Sequence, residues 1–217
     1  MSDPHAVLPV ALRLTGRRCL VVGGGPVATR KVRDLLAADA TIHVVAPSVT
    51  DDLRGILANE SDVTWRQGRY ESEDLEGAWM VITATDDRAV NQHVYDDAVD
   101  RHVWANSADD PDRCDFFMTA VVRRDPVVVA ISTAGASPAL AAHLRRRLDA
   151  ALETGLGQLA TALRDVRADL HRQGVSTEGL AWSSVVNDEL VAMAAGGDLE
   201  GARRRVREGL GTPPVGA

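Results

Sequence analysis

The sequence predicts an α/β fold: a doubly wound parallel sheet, followed by a small α+β segment and a C-terminal helical domain. Three observations carry this prediction. From residue 18 to about 108, strand-length apolar runs alternate with amphipathic stretches, the pattern of parallel strands joined by crossover helices. The first run breaks at Gly23-Gly24-Gly25 and becomes amphipathic at once. Beyond residue 112 the alternation gives way to two adjacent strand-like runs and then to helical periodicity, so the expected divisions are 1–112, 113–150 and 151–217.

Residues 18–22 are the first strand, and 27–38 carry Val27, Ala28, Val32, Leu35 and Leu36 at helical spacing. A second strand at 41–46 stops at Pro47. A helix around 50–59 and a short strand at 63–65 follow, then a strand at 78–84 expected to be fully buried. Residues 88–101 place Val90, Val94, Ala98 and Val99 on one side of a helix, and 102–105 close the series as a strand. Residues 116–123 and 126–132, separated by Arg124-Asp125, read as an antiparallel pair. Ser137 and Pro138 are an N-cap and N1 proline for a helix to about 149. Leu156, Leu159, Ala160, Leu163, Val166 and Leu170 form one apolar face. Helices at 182–194 and 199–210 and a frayed tail from 212 complete the chain. The helical part has too few large apolar residues for a self-sufficient core, so the expected partner is a second copy of the chain, a homodimer.

The glycine turn is the chemical centre of the pattern. Gly23-x-Gly25-x-x-Ala28 fits the Rossmann-type dinucleotide fingerprint: one position for the turn, one for close backbone approach to pyrophosphate, one for packing of helix on strand. The helix N-terminus behind it offers unpaired N–H groups and a positive dipole end. A glycine-rich turn without a ligand has the same spacing, so context must decide.

Composition narrows the function. The 217 residues include 24 Lys and Arg against 31 Asp and Glu, a net charge of −7 that argues against a nucleic-acid binder. Lys31 is the one lysine, which leaves carboxylate recognition to arginine forks, although biased base composition accounts for the same count. No run approaches the roughly 20 apolar residues of a membrane span, and the first residues lack the order of a signal peptide; the expectation is a cytoplasmic protein that contacts no membrane. Cys19 and Cys114 alone provide neither a disulfide framework nor a cysteine metal cluster, and no histidine pair has metal-site spacing.

Ligands of such sheets bind at the carboxyl ends of the strands. The second strand ends in Pro47-Ser48 where an acid usually holds the ribose, so this motif does not choose between NAD and NADP. Thr85 is a candidate cofactor contact, with capping of the next helix by Asp86 or Asp87 as the alternative. The loop 106–111 carries Asp109 and Asp110. A carboxylate there can take a proton as hydride leaves a neighbouring carbon; a plain Asp-Pro turn is the alternative. In 132–138 small residues allow close approach of a bulky ligand, and ordinary capping explains Ser137 and Pro138 without one.

Taken in order, Val21-Val-Gly-Gly-Gly-Pro-Val-Ala-x-Arg-Lys31, Ala84-Thr-Asp-Asp87 with Asn91, Asn106-x-x-Asp109-x-Pro111, Phe116-x-Met118 and Ser132-Thr-x-Gly-x-Ser-Pro138 resemble precorrin-2 dehydrogenases. The chain looks like the dehydrogenase and ferrochelatase part of siroheme synthase, over residues 8 to 210. The resemblance implies oxidation of precorrin-2 to sirohydrochlorin with NAD+, and in some members insertion of Fe2+. It implies Asp109 as the catalytic carboxylate and Gly23, Gly25, Pro26, Val27, Pro47, Ser48 and Thr85 as cofactor contacts. Asn106, Ser132, Thr133, Gly135 and Arg145 fall at substrate-binding positions. Thr133 stands where relatives carry a serine that is sometimes phosphorylated, and Ala134 where a glycine is common. Relatives dimerise after the Rossmann domain. The substrate's eight carboxylates call for local arginines, of which Arg113, Arg123, Arg124 and Arg145 are nearest in sequence. A non-catalytic Rossmann dimer sensing NAD(H) or a tetrapyrrole is the rival reading, and a chelatase without oxidation a third.

Overall fold

The computed structural model describes residues 6–108 and 110–212. The chain forms two compact units, one ending at Met118 and the other beginning at Thr119.

The first unit is a five-stranded parallel sheet with strand order β3-β2-β1-β4-β5. Its strands are β1 (Arg18–Val22), β2 (Thr41–Ala46), β3 (Val63–Gln67), β4 (Met80–Thr83) and β5 (Trp104–Ser107). Helices α1 (Pro26–Leu36) and α2 (Asp51–Asn59) connect the first three strands, and α3 (Arg88–Asp100) connects β4 to β5. The central strands read as continuous apolar runs because both faces are covered. Cys19 and Val21 of β1 pack with Ala28, Val32 and Leu35 of α1, whereas Leu20 and Val22 face a second cluster containing Val94 and Ala98 of α3. Leu20, Ile42 and Ile82 are fully buried, and burial of each such side chain contributes about 1.5–3 kcal/mol. The strand order reverses between β1 and β4, so the crevice of a doubly wound sheet opens at their carboxyl ends.

Several boundaries differ from expectation for local reasons. The last parallel strand starts at Trp104, not 102, because His102 adopts φ 56° and turns the chain out of α3, with Val103 N–H donating to Ala98 O at 2.8 Å. The strand expected at 116–123 begins at Ala120. Phe116 and Met118 instead pack against the core beneath α1, and residues 114–116 are tied to β5. Asp115 N–H donates to Ala105 O at 2.8 Å, Ala105 N–H donates to the Asp115 carboxylate at 2.8 Å, and Asn106 bridges Cys114. These ties carry the first unit six residues beyond the expected division at 112.

In the second unit β6 (Ala120–Arg124) and β7 (Val127–Ile131) form the antiparallel pair, with Val122 opposite Val129. Helices α4 (Pro138–Ala151), α5 (Leu156–Arg172), α6 (Trp182–Val185), α7 (Asp188–Ala195) and α8 (Leu199–Gly209) follow. The helix expected over 182–194 is two helices, because Asn187 is extended and its side-chain oxygen accepts from Leu190 N–H at 3.0 Å, capping α7. The expectation that the helical part lacks a core of its own is corrected. Leu159, Val166, Leu170, Leu190, Val191 and Val206 are buried together with Ala194 and Ala202. Small residues let the elements approach closely: a Cβ at Gly155 would lie 2.2 Å from Val191 O, and one at Gly157 2.4 Å from Asp125 O.

A polar clamp holds the β3 edge. Asp74, in a 3-10 turn at Ser72–Leu75, is 7% exposed; it accepts from Arg66 Nε at 2.8 Å and from Glu71 N–H at 2.9 Å, and also pairs with the second Arg66 nitrogen. Arg18 of β1 donates to Asp74 O and Glu76 O. Burial works against ionisation of Asp74, but the Arg66 and Glu71 hydrogen bonds and the Arg66 charge outweigh it and hold the carboxyl below its ordinary value. Its contribution to stability is therefore full above about pH 4 and is lost as pH falls through the lowered folded value. Asp74→Asn is expected to be less stable than the parent at pH 7 and to lose less between pH 5 and pH 3. Urea midpoints across that range check this, and equal pH slopes for the two proteins contradict it.

Candidate dinucleotide site

The carboxyl end of β1 lies between those of β2 and β4, and the glycine turn is what fits there. Gly23 has φ 127° and donates its N–H to Val45 O at 2.9 Å; a Cβ would lie 2.3 Å from Ala84 O. Gly24 is just as confined, since its Cβ would fall 1.9 Å from Ser48 O. Sequence reasoning missed this role for Gly24, although the third consecutive glycine was the available signal. Gly25 differs from both: nothing lies within 4 Å of the position its Cβ would take. It is the N-cap of α1 without a side-chain cap, followed by Pro26 at N1, and the first turn holds no acid. An open glycine beside an uncapped, acid-free helix N-terminus fits a dinucleotide pyrophosphate. Ala28, the third position of the fingerprint, is fully buried against β1.

The other candidates are distributed as follows. Val27 is half-buried in the first turn of α1, and Pro47 and Ser48 are exposed at the end of β2. Pro47 O accepts from Gln67 Nε2 at 3.1 Å. Asp87, not Asp86, caps α3, accepting from Ala89 and Val90 N–H. Thr85 Oγ1 accepts from Asp87 N–H at 3.1 Å and Thr85 O accepts from Asn91 Nδ2 at 2.9 Å, so capping and the Thr85 position belong to one arrangement. Among the described residues the Asn91 side-chain oxygen is buried without a hydrogen-bond partner.

Asp109 lies outside the described residues; the loop on either side of it is closely tied. Asn106, 6% exposed, donates through Nδ2 to Phe116 O at 2.8 Å, and Thr83 Oγ1 donates to Ser107 Oγ at 3.0 Å. Burial pushes the Cys114 thiol up, and the Asp110 and Asp115 charges add to this against Lys31, so Sγ stays protonated at neutral pH and reaches Ser107 O and Asp110 O. Arg113 donates to Gln92 Oε1 at 2.7 Å and pairs with Asp110, binding the loop to α3.

Ser132, Thr133, Gly135 and Arg145 belong to the second unit. Ser132 Oγ accepts from Ala134 N–H and Thr133 Oγ1 accepts from Ser137 N–H, while Ser137 caps α4. Ala134 and Gly135 have φ of 49° and 80°, which explains why a glycine suits position 134. Arg145 reaches Asp149 only at 4.0 Å. Arg124 is consumed internally, donating to the Asp149 carboxylate at 3.0 Å and to Asp149 O at 2.8 Å. Among the described residues no three His, Cys, Asp or Glu side chains are grouped to hold a metal ion, and no helix is long and apolar enough to cross a membrane.

Parallel sheet, glycine turn and uncapped helix define the first unit as an NAD(P)-binding Rossmann domain, and a family model described as putative NAD(P)-binding matches residues 10–120. A second, described as the central part of a sirohaem biosynthesis protein, matches 124–151. Siroheme synthase of Nitrosomonas eutropha is 36% identical over 214 residues, 96% of this chain and 45% of the relative. That of Photorhabdus laumondii is 35% identical over 205 residues, 94% of this chain and 43% of the relative. The chain therefore spans about half the length of the curated relatives it matches. The solved structure of SirC, a precorrin-2 dehydrogenase, superimposes with a TM-score of 0.68 at 27% identity, covering 93% of this chain and all of that one. The chain belongs to the putative NAD(P)-binding family whose model matches residues 10–120, and over nearly its whole length it is similar to SirC and to part of siroheme synthase.

The turn makes a contrasting pair of predictions. Gly25→Val is expected to keep the fold, since its side chain enters open space, and to lose NAD+ binding if the pyrophosphate sits in that space. Gly24→Ala is expected to lower the melting temperature, because backbone must move. Calorimetry with NAD+ and thermal melts separate the two; near-parent NAD+ affinity in Gly25→Val moves the cofactor elsewhere.

Proposed function

We propose that this protein oxidises precorrin-2 to sirohydrochlorin in siroheme biosynthesis, in the cytoplasm, with NAD+ rather than NADP+. The observation that carries the reading is the match to SirC over its whole length, joined to a glycine turn left open at Gly25. When bound, NAD+ accepts the hydride removed from the macrocycle. The protein's part is to orient the substrate and to take the proton that leaves with it. Asp109 is the proposed base or orienting carboxylate, on a loop whose flanks are tied to β5 through Asn106 and Asp115 and to α3 through Arg113. Asn106, Ser132, Thr133, Gly135 and Arg145 are the proposed substrate contacts. Arg123, exposed, and Arg145, loosely paired, are better carboxylate partners than Arg113 and Arg124, whose guanidinium groups are committed within the protein.

The test is incubation with precorrin-2 and NAD+, followed by absorbance of NADH and product. NAD+ binding with precorrin-2 unchanged would favour the sensor reading. A parallel incubation of sirohydrochlorin with Fe2+ tests ferrous iron as a second substrate. Asp109→Ala is expected to retain NAD+ binding and lose roughly 10²–10⁴-fold in turnover, the ordinary cost of removing a general acid or base. Asp110→Ala, which loses the Arg113 pairing, is expected to do far less. Rescue by Asp109→Asn assigns orientation, since the amide cannot take the proton; parent-rate turnover by Asp109→Ala removes the residue from the mechanism.

We also propose a homodimer through the second unit. A two-stranded pair is marginal alone. Val128 on β7 and Leu140 and Leu148 on α4 are 47%, 50% and 36% exposed, and a second copy covers such a surface on both partners at once. Sedimentation is expected to give a dimer at micromolar concentration, and Val128→Asp with Leu140→Asp a monomer. A parent monomer of full activity refutes this.

A further inference from the structure

Gly25 is left open for the ligand, yet glycine is the residue with most backbone freedom, so something must fix its two flanking peptides. One set of contacts comes from α1 itself, where Thr29 N–H donates to Gly25 O at 3.0 Å, and the other from the loop after β2. Thr29, 2% exposed in α1, donates its hydroxyl proton to Gly25 O at 3.0 Å. Its oxygen lies 2.9 Å from Thr50 Oγ1. The Thr29 hydroxyl has one proton, already committed to Gly25 O, so Thr50 must be the donor in this contact. Thr50 Oγ1 in turn accepts from Leu53 N–H at 3.2 Å, as the N-cap of α2. The result is a directional chain from Leu53 N–H through Thr50 and Thr29 to Gly25 O. Thr50 adds a second anchor, donating its own N–H to Gly24 O at 3.0 Å.

The two anchors act on the two peptides around Gly25. Thr29 holds the Gly25–Pro26 peptide by its carbonyl. Thr50 holds the Gly24–Gly25 peptide by its carbonyl, and that peptide carries the Gly25 N–H. Both threonines also tie the turn to the loop after β2, where Pro47 and Ser48 lie and where Ser48 O crowds Gly24. We propose that Thr29 and Thr50 are positioning residues for the dinucleotide, acting through Gly24 and Gly25 by a hydroxyl relay that sets the phosphate-binding turn and the β2–α2 loop in register before the cofactor arrives. Ordering the turn in advance removes an entropy cost from binding. A purely structural threonine pair would stabilise the fold without affecting the cofactor.

The inference rests on assignment of the glycine turn to the dinucleotide, which Gly25→Val tests separately. Thr29→Val keeps shape and removes the hydroxyl. It is expected to raise the NAD+ Kd, measured by calorimetry, about three- to tenfold, the scale of one lost hydrogen bond. Thr29→Ser, which restores the donor, is expected to bind within twofold of the parent. Amide exchange of the cofactor-free protein is expected to quicken in 23–29 and 47–53 together for Thr29→Val and not for Thr29→Ser. If Thr29→Val does not fold, Thr29→Ala, too small to clash, carries the same expectation. A Kd within twofold of the parent for the hydroxyl-free variant, whatever its melting temperature, overturns the proposal. So does equal weakening by Thr29→Ser, which would trace the effect to the methyl group.

Discussion

The fit of the β1–α1 turn between the ends of β2 and β4 is the constraint on which the first unit depends. Gly23 and Gly24 carry no side chain because backbone oxygens of Ala84 and Ser48 occupy the space. That crowding brings three strand ends and two loops to one point, where α1 begins without a side-chain cap. The same absence of side chains that closes the turn against the sheet leaves it open at Gly25 on the other side. One short sequence thus closes the turn on one side and leaves it open on the other.

The chain after β5 shows how a loop becomes a platform. It does not leave the sheet at residue 108 but returns through the Asn106–Cys114 bridge and the Asp115 hydrogen bonds to place Phe116 and Met118 on the core beneath α1. Its polar side chains are largely occupied: Asn106 with Phe116 O, Cys114 with Ser107 and Asp110 carbonyls, Arg113 with Asp110 and Gln92.

The second unit follows a different packing rule. Its core side chains are Leu, Val and Ala, and its elements approach closely at Gly155, against Val191 of α7, and at Gly157, against the β6–β7 turn. Apolar side chains remain exposed at Val128 on β7, at Leu140 and Leu148 on α4, and at Val186 between α6 and α7. The family match at 124–151 includes the exposed positions on β7 and α4.

Much of the fold was legible in the chain. Buried strands 41–46 and 78–84 announce themselves as apolar runs, and Asp, Ser and Pro at residues 87, 137 and 138 mark helix starts through capping chemistry that acts within four residues. The fingerprint at Gly23, Gly25 and Ala28 was equally local, and so were the candidates in the 106–111 loop. Other features depended on contacts distant in sequence. His102 in a left-handed turn, the docking of Phe116 and Met118, and the split at Asn187 each reverse a periodicity that looked continuous. The Thr29–Thr50 relay is invisible to pattern, because the partner lies 21 residues away. Sequence alone determined most of the strands and helices, the glycine fingerprint and the order of the motifs, since these are properties of neighbouring residues. Tertiary structure decided where the first unit ends, which arginines are already committed and what holds the turn in place, because each is a competition among groups that only folding brings together.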